Sequence, residues 1–147
     1  MFFSQKRTIK KALDREINRA KRFRYFVGIL IVDVSEMTPR GVHRFLPGVT
    51  VSVRHIRSLL RNYDVVMRTK LRRYTVILPH LEASESARVV RNRILLTARL
   101  QDWDSVNVGV AIFPEHGTSS SDLIKAAEYD LQNHLKTAVE PDLSLVG

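Results

Sequence analysis

A chain of 147 residues with 44% hydrophobic content has the size and make-up of a single globular domain. It contains no Cys, which excludes a disulfide, a thiol nucleophile and a thiolate metal site, and its longest apolar run, "FVGILIV", is far too short to span a bilayer. Residues 1–100 hold 22 Lys/Arg against 7 Asp/Glu (+15) and residues 101–147 hold 2 against 8 (−6), which sum to the net +9, so an anionic partner is expected for the basic part.

The first element is a helix, "SQKRTIKKALDREINRAKRFR", whose Ile9, Leu13, Ile17 and Ala20 form an apolar stripe on otherwise basic faces. "YFVGILIVDV", Tyr25 to Val34, is nearly continuous in apolar and β-branched residues and reads as a buried central strand ending at Asp33. "TPRGVHRFLPG" carries two Pro and two Gly and reads as loop or broken helix. "VTVSVRHIRSLLRN" is expected to be helical, with Val49, Val53, Ile56 and Leu60 on one face. "YDVVMRTKLRRYTVILP" gives two strands with a turn near "TKLR", although tight hairpin tips favour residues that tolerate positive φ and none stands here. A helix follows over "LEASESARVVRNRILLTARL", with Ala87, Val90, Ile94 and Leu95 inward. "SVNVGVAIFP" is a strand, and "TSSSDLIKAAEYDLQNHLK" is a Ser/Thr-capped helix with Leu123, Ile124, Ala127 and Leu131 on its apolar face. Residues 1–137 read as one domain and 138–147 as a loose tail, the looseness beginning at "TAV". The order α-β-α-β-β-α-β-α predicts an α/β (α+β) fold, a mostly antiparallel central sheet with surrounding helices.

That order, with these residues, resembles the GGDEF family of diguanylate cyclase domains over about Leu13 to Lys136. "LDREINRAKRFRYFVGILIVDV" resembles the family's first helix and first strand. "RNYDVVMR" is similar to the R..D...R run that leads into the signature hairpin. "VNVGVAIFP" and "LIKAAEYDLQNHLK" resemble the late strand and the last helix. The resemblance implies the nucleotide-cyclase-like sheet. It also places Lys70, Leu71, Arg72, Arg73 and Tyr74 where the five signature residues stand. There the family uses two Gly to approach the phosphates and acidic residues to bind Mg²⁺. Lys70 and Leu71 make positive φ costly. Arg72 and Arg73 would repel a dication by several kcal/mol each at about 4 Å and an effective dielectric of about 20. The family's guanine-reading "ND..GH..GD" is replaced by "EMTPRGVHRFLPG". Asp33 alone matches a family metal ligand, and one carboxylate makes a poor Mg²⁺ site; its plainer reading is a strand-end residue capping a turn. No catalytic residue, cofactor or metal is expected, and the chain is expected not to be an enzyme.

Arg61 and Asp64 reproduce the R-x-x-D pattern that, in the family, forms an inhibitory site for cyclic di-GMP. A guanidinium can pair with a guanine edge or a phosphate, and the carboxylate can accept from guanine. The family's second Arg falls near Asn92, so Arg91 or Arg93 could supply it. The plainer reading is a helix-end Arg paired with a loop Asp. The resemblance therefore implies a signalling or regulatory module, either a cyclic di-GMP receptor or a nucleotide-independent interaction domain with a protein partner or a second copy. For the latter, the first helix, exposed Leu71 or the starting "MFF" would be the contact. The basic stripe Arg54, Arg57, Arg61 and Arg68 leaves nucleic acid as a less favoured partner, since no helix-turn-helix or aromatic platform accompanies it. Membrane-surface binding by the first helix is disfavoured by its narrow apolar face. His43, His55, His80, His116 and His134 lack zinc spacing. Trp103 reads as a local packing anchor. Absent Cys and the lack of an apolar leader point to the cytoplasm.

Overall fold

The computed structural model describes residues 3–34, 53–101 and 106–139. Its elements run α1 (Phe3–Phe23), β1 (Phe26–Asp33), α2 (Val53–Arg57), β2 (Val65–Lys70), β3 (Arg73–Leu81), α3 (Ser86–Leu100), β4 (Asn107–Phe113) and α4 (Ser120–Val139). This is the expected order. The loop over 38–48, Val49, His43, Trp103 and the segment beyond Val139 lie outside the described residues.

The four strands form one antiparallel sheet in the order β2-β3-β1-β4. The continuous apolar character of β1 follows from its place between β3 and β4 with a helical layer on each face. Its alternate side chains serve two cores. Val27, Ile29 and Ile31 pack with Ile9, Leu13, Ile17 and Ala20 of α1 and with Leu123, Ala127 and Leu131 of α4. Leu30, Val32 and Val34 pack with Ile56 of α2, Ala87 and Ile94 of α3, and Tyr74, Val76 and Leu78 of β3. The stripe of α1 is thus used on the sheet, leaving its basic faces outward.

Helix ends follow local chemistry. Ser119 accepts from the Asp122 N–H at 3.1 Å and caps α4. Arg24 takes φ 57° just past α1, a left-handed stop made without Gly, and its N–H bonds the Ala20 carbonyl at 2.8 Å. Three expectations shift. Tyr25 stands outside β1 and is only half-buried, so it is not a strand residue. The described α2 covers five residues and ends at Arg57, because the chain turns there to wrap around the Arg57 side chain, which donates to the carbonyls of Asn62 and Asp64. Thr137–Val139, read as the start of a loose tail, continue α4.

Candidate functional site

The β2–β3 hairpin turns through Leu71 and Arg72. Neither takes positive φ, which among the described non-Gly residues occurs at Arg24 and His80. The register instead shifts between Arg68 and Lys70, and this irregularity reconciles the turn with the twist of the strands. The Arg68 guanidinium folds back on the tip and donates from Nε to the Leu71 carbonyl at 2.9 Å. The Arg72 carbonyl accepts from the Val34 N–H at 2.9 Å, which ties the turn to the end of β1. Leu71 is 62% exposed, as the sequence suggests, whereas Tyr74 points inward and belongs to the core.

The same register sets Asp33 opposite Arg73. Arg73 Nε donates to Asp33 Oδ2 at 2.7 Å, and the Asp33 side chain is 3% exposed. A residue 40 positions away thus fills the place in front of the strand-end carboxylate. Among the described residues, no three His, Asp or Glu side chains converge as a metal-binding group.

Arg61 and Asp64 meet in a closed clasp. Asp64 Oδ2 accepts the Arg61 backbone N–H at 2.8 Å, and Asp64 Oδ1 accepts from Arg61 Nη2 at 2.8 Å and Nε at 3.1 Å. Nη2 also donates to the Pro79 carbonyl at 3.0 Å, and Nη1 to the Tyr63 hydroxyl at 2.8 Å. The guanidinium lies 4.4 Å from the centroid of the Tyr63 ring. The Asp64 side chain is 1% exposed and that of Arg61 36%. Burial lowers the Arg61 pKa, but the hydrogen bond and charge of Asp64, with Tyr63, raise it by more, so it stands above the usual guanidinium value.

Two partners of this clasp were not legible in the sequence. Tyr63 sits inside the R-x-x-D run and could have been suspected from that position. Pro79 gave no signal beyond being a Pro in a central strand. Pro79 and His80 occupy an irregularity where β3 pairs Leu78 with Gly28 and Leu81 with Phe26, and His80 takes φ 57° there. Of the suggested second arginines, Arg93 donates to the Leu59 carbonyl at 3.4 Å, close in sequence to Arg61, while Arg91 bonds Asn92 on its own helix at 3.3 Å. The structure thus gathers Arg61, Asp64 and Arg93 at one end of α2 and places Asp33 and Arg73 at the hairpin.

The family model for the diguanylate cyclase GGDEF domain matches residues 49–139. The fold is similar to the GGDEF domain of YfiN (TpbB) from Pseudomonas aeruginosa, at 23% identity and TM-score 0.73, with 88% of each chain covered. It is also similar to the active GGEEF domain of a diguanylate cyclase from Vibrio cholerae (13% identity, TM-score 0.62, 89% of this chain and 90% of that one). A third match is the diguanylate cyclase SiaD from Pseudomonas aeruginosa, in complex with its activator SiaC (18% identity, TM-score 0.66, 89% of this chain and 54% of that one). No curated protein sequence matches the chain significantly.

Proposed function

The chain belongs to the GGDEF domain family, and from that premise we propose that it is a regulatory module of cyclic di-GMP signalling that does not make the dinucleotide. The observation that carries this reading is the 2.7 Å ion pair between Arg73 and Asp33. Cyclase chemistry needs divalent metal held by hard oxygen ligands beside the nucleotide phosphates. The strand-end carboxylate that would supply one of them already accepts from a guanidinium. The turn next to it, Leu71–Arg72, brings a further cation and no acid. A Mg²⁺ ion entering there would have to displace Arg73 and then sit among the positive charges of Lys70, Arg72 and Arg73. The residues do not fit the metal.

Without turnover, the module acts through what it binds. A protein partner is the first expectation, in keeping with the activator-bound state of the SiaD cyclase. Cyclic di-GMP at Arg61, Asp64 and Arg93 is the second reading, favoured by Arg93 reaching the Leu59 carbonyl beside Arg61. That reading carries a cost. Asp64 is buried and already paired, so a guanine could engage it only by opening the clasp.

One experiment separates these cases. The purified domain is incubated with GTP and Mg²⁺ and analysed for cyclic di-GMP, and in parallel titrated calorimetrically with cyclic di-GMP. No product is expected; product formation sinks the reading. Heat that disappears in Arg61→Ala makes the domain a receptor. Absence of heat in both proteins leaves the protein-binding role.

A further inference from the structure

On the α1/α4 face of the sheet, beside the hairpin, lies a cavity of about 270 Å³. Its apolar lining comes from Ile9 of α1, Ile31 of β1 and Ile124 of α4. Its charged lining is unbalanced: Lys6 and Lys10 of α1 and Lys70 of β2 stand against the single carboxylate of Glu128, and Arg73 of β3, paired on one side with Asp33, adds its remaining N–H groups. The three lysines have no ion-pair partner among the described residues. Thr69 and Thr75 also line the cavity, with their hydroxyl oxygens 2.8 Å apart. That pair uses one of its two hydroxyl hydrogens between them and leaves the other for an acceptor.

We propose that this cavity binds a small amphipathic anion, its apolar body on Ile9, Ile31 and Ile124 and its anionic head between Lys6, Lys10, Lys70 and Arg73. Each part follows from the lining. Cations gathered at a concave surface focus positive potential and draw in a counter-charge. An apolar wall gains from covering, so a bare inorganic ion would use only half of the site. The volume is close to the lower end of ordinary ligand pockets and suits one ring system or a short acyl chain. A phosphate or a carboxylate head would satisfy the same cations.

The site is separate from the Arg61 clasp. Ile31 faces the α1/α4 core, whereas Arg61 follows α2, which packs on the opposite face. The first probe is 8-anilinonaphthalene-1-sulfonate, an aromatic sulfonate whose fluorescence rises in apolar surroundings. It is titrated into the whole domain and then displaced with GMP or with octanoate. Lys6 and Lys10 are exposed on α1, so a K6E/K10E variant keeps the fold while reversing one wall of the site.

This variant is expected to bind the dye about tenfold or more weakly. I124Q is expected to weaken it as well, and K21E/R22E, at the other end of α1, is expected to bind as the parent does. Displacement by GMP assigns a phosphate head and displacement by octanoate a carboxylate. Unchanged dye affinity in K6E/K10E, an equal loss in K21E/R22E, or displacement by neither competitor overturns the proposal. R61A is expected to leave dye binding untouched, so failure here and failure of the cyclic di-GMP reading are told apart.

Discussion

Asp33 and Arg73 sit across a strand pair, the carboxylate 3% and the guanidinium 20% exposed, so water screens their attraction little. A pair of this kind is not worth its full Coulomb energy, because both charges lose hydration on burial. Removing one member is a different matter, since the other then stays desolvated with its opposite charge gone. Arg73→Ala is therefore expected to lower the unfolding free energy by roughly 3 kcal/mol. Asp33→Ala is expected to lose a similar amount. The double variant should lose clearly less than the sum, because its second substitution removes a charge whose ion pair the first had already broken. Urea unfolding of the four proteins measures this directly, and additive losses would show that the two residues are not coupled. Arg61 and Asp64 follow the same physics with more hydrogen bonds per charge. The raised pKa of Arg61 works in a fixed direction. While the Asp64 carboxylate is charged, stability from it is fully present below the ordinary guanidinium value and is lost as pH rises through the raised one.

The hairpin and the α4–β4 packing show two ways in which elements of this chain meet their geometric demands. At the hairpin, an irregular register at the end of β2 lets Leu71 and Arg72 turn without the positive φ that their side chains disfavour. At β4 the demand is for space. A Cβ on Gly109 would stand 2.2 Å from the Ala127 carbonyl oxygen and 2.7 Å from the Leu131 N, both helix backbone that no side-chain rotation can clear. The close approach also lets Asp130 of α4 accept the Val110 N–H at 2.9 Å, and in the turn after β4 His116 Nδ1 accepts that of Ile112 at 2.8 Å. These contacts satisfy two N–H groups along β4, the edge strand among the described residues, where another chain could otherwise pair. Gly109→Ala is expected to push α4 off the edge and cost about 3 kcal/mol or more. Gly28→Ala should cost less, since its nearest neighbours are the side-chain atoms Ala87 Cβ, at 2.9 Å, and Leu81 Cδ1, at 3.2 Å. Thermal unfolding of both variants checks the order, and a milder effect at Gly109 would mean that α4 is free to shift.

Across the whole molecule, local pattern made the eight elements legible and long-range pairing hid the rest. The stripes Ile9–Leu13–Ile17–Ala20 and Leu123–Ala127–Leu131 repeat at helical spacing, so each marked its own buried face. β1 carries apolar residues on both faces, so its sequence says that it is central and says nothing of its neighbours. The contacts at both candidate sites depend on those neighbours. Asp33 meets Arg73 through the β1–β3 register, and Arg61 meets the Pro79 carbonyl at the place where β3 is irregular. Charge is the one global property that the sequence states in full. The chain carries 24 Lys and Arg against 15 Asp and Glu, a net +9. Folding gathers these charges into a smaller volume, and like charges within a Debye length repel in the compact state. That length falls from about 30 Å at 0.01 M salt to about 8 Å at 0.15 M. Among the described residues, the Arg73–Asp33 and Arg61–Asp64 pairs are partly shielded from added salt by their buried carboxylates, whereas the unbalanced surface is not. Raising NaCl over that range is therefore expected to raise the thermal midpoint by a few degrees. A fall would mean that exposed attractions between neighbouring opposite charges outweigh the repulsion set by the net +9.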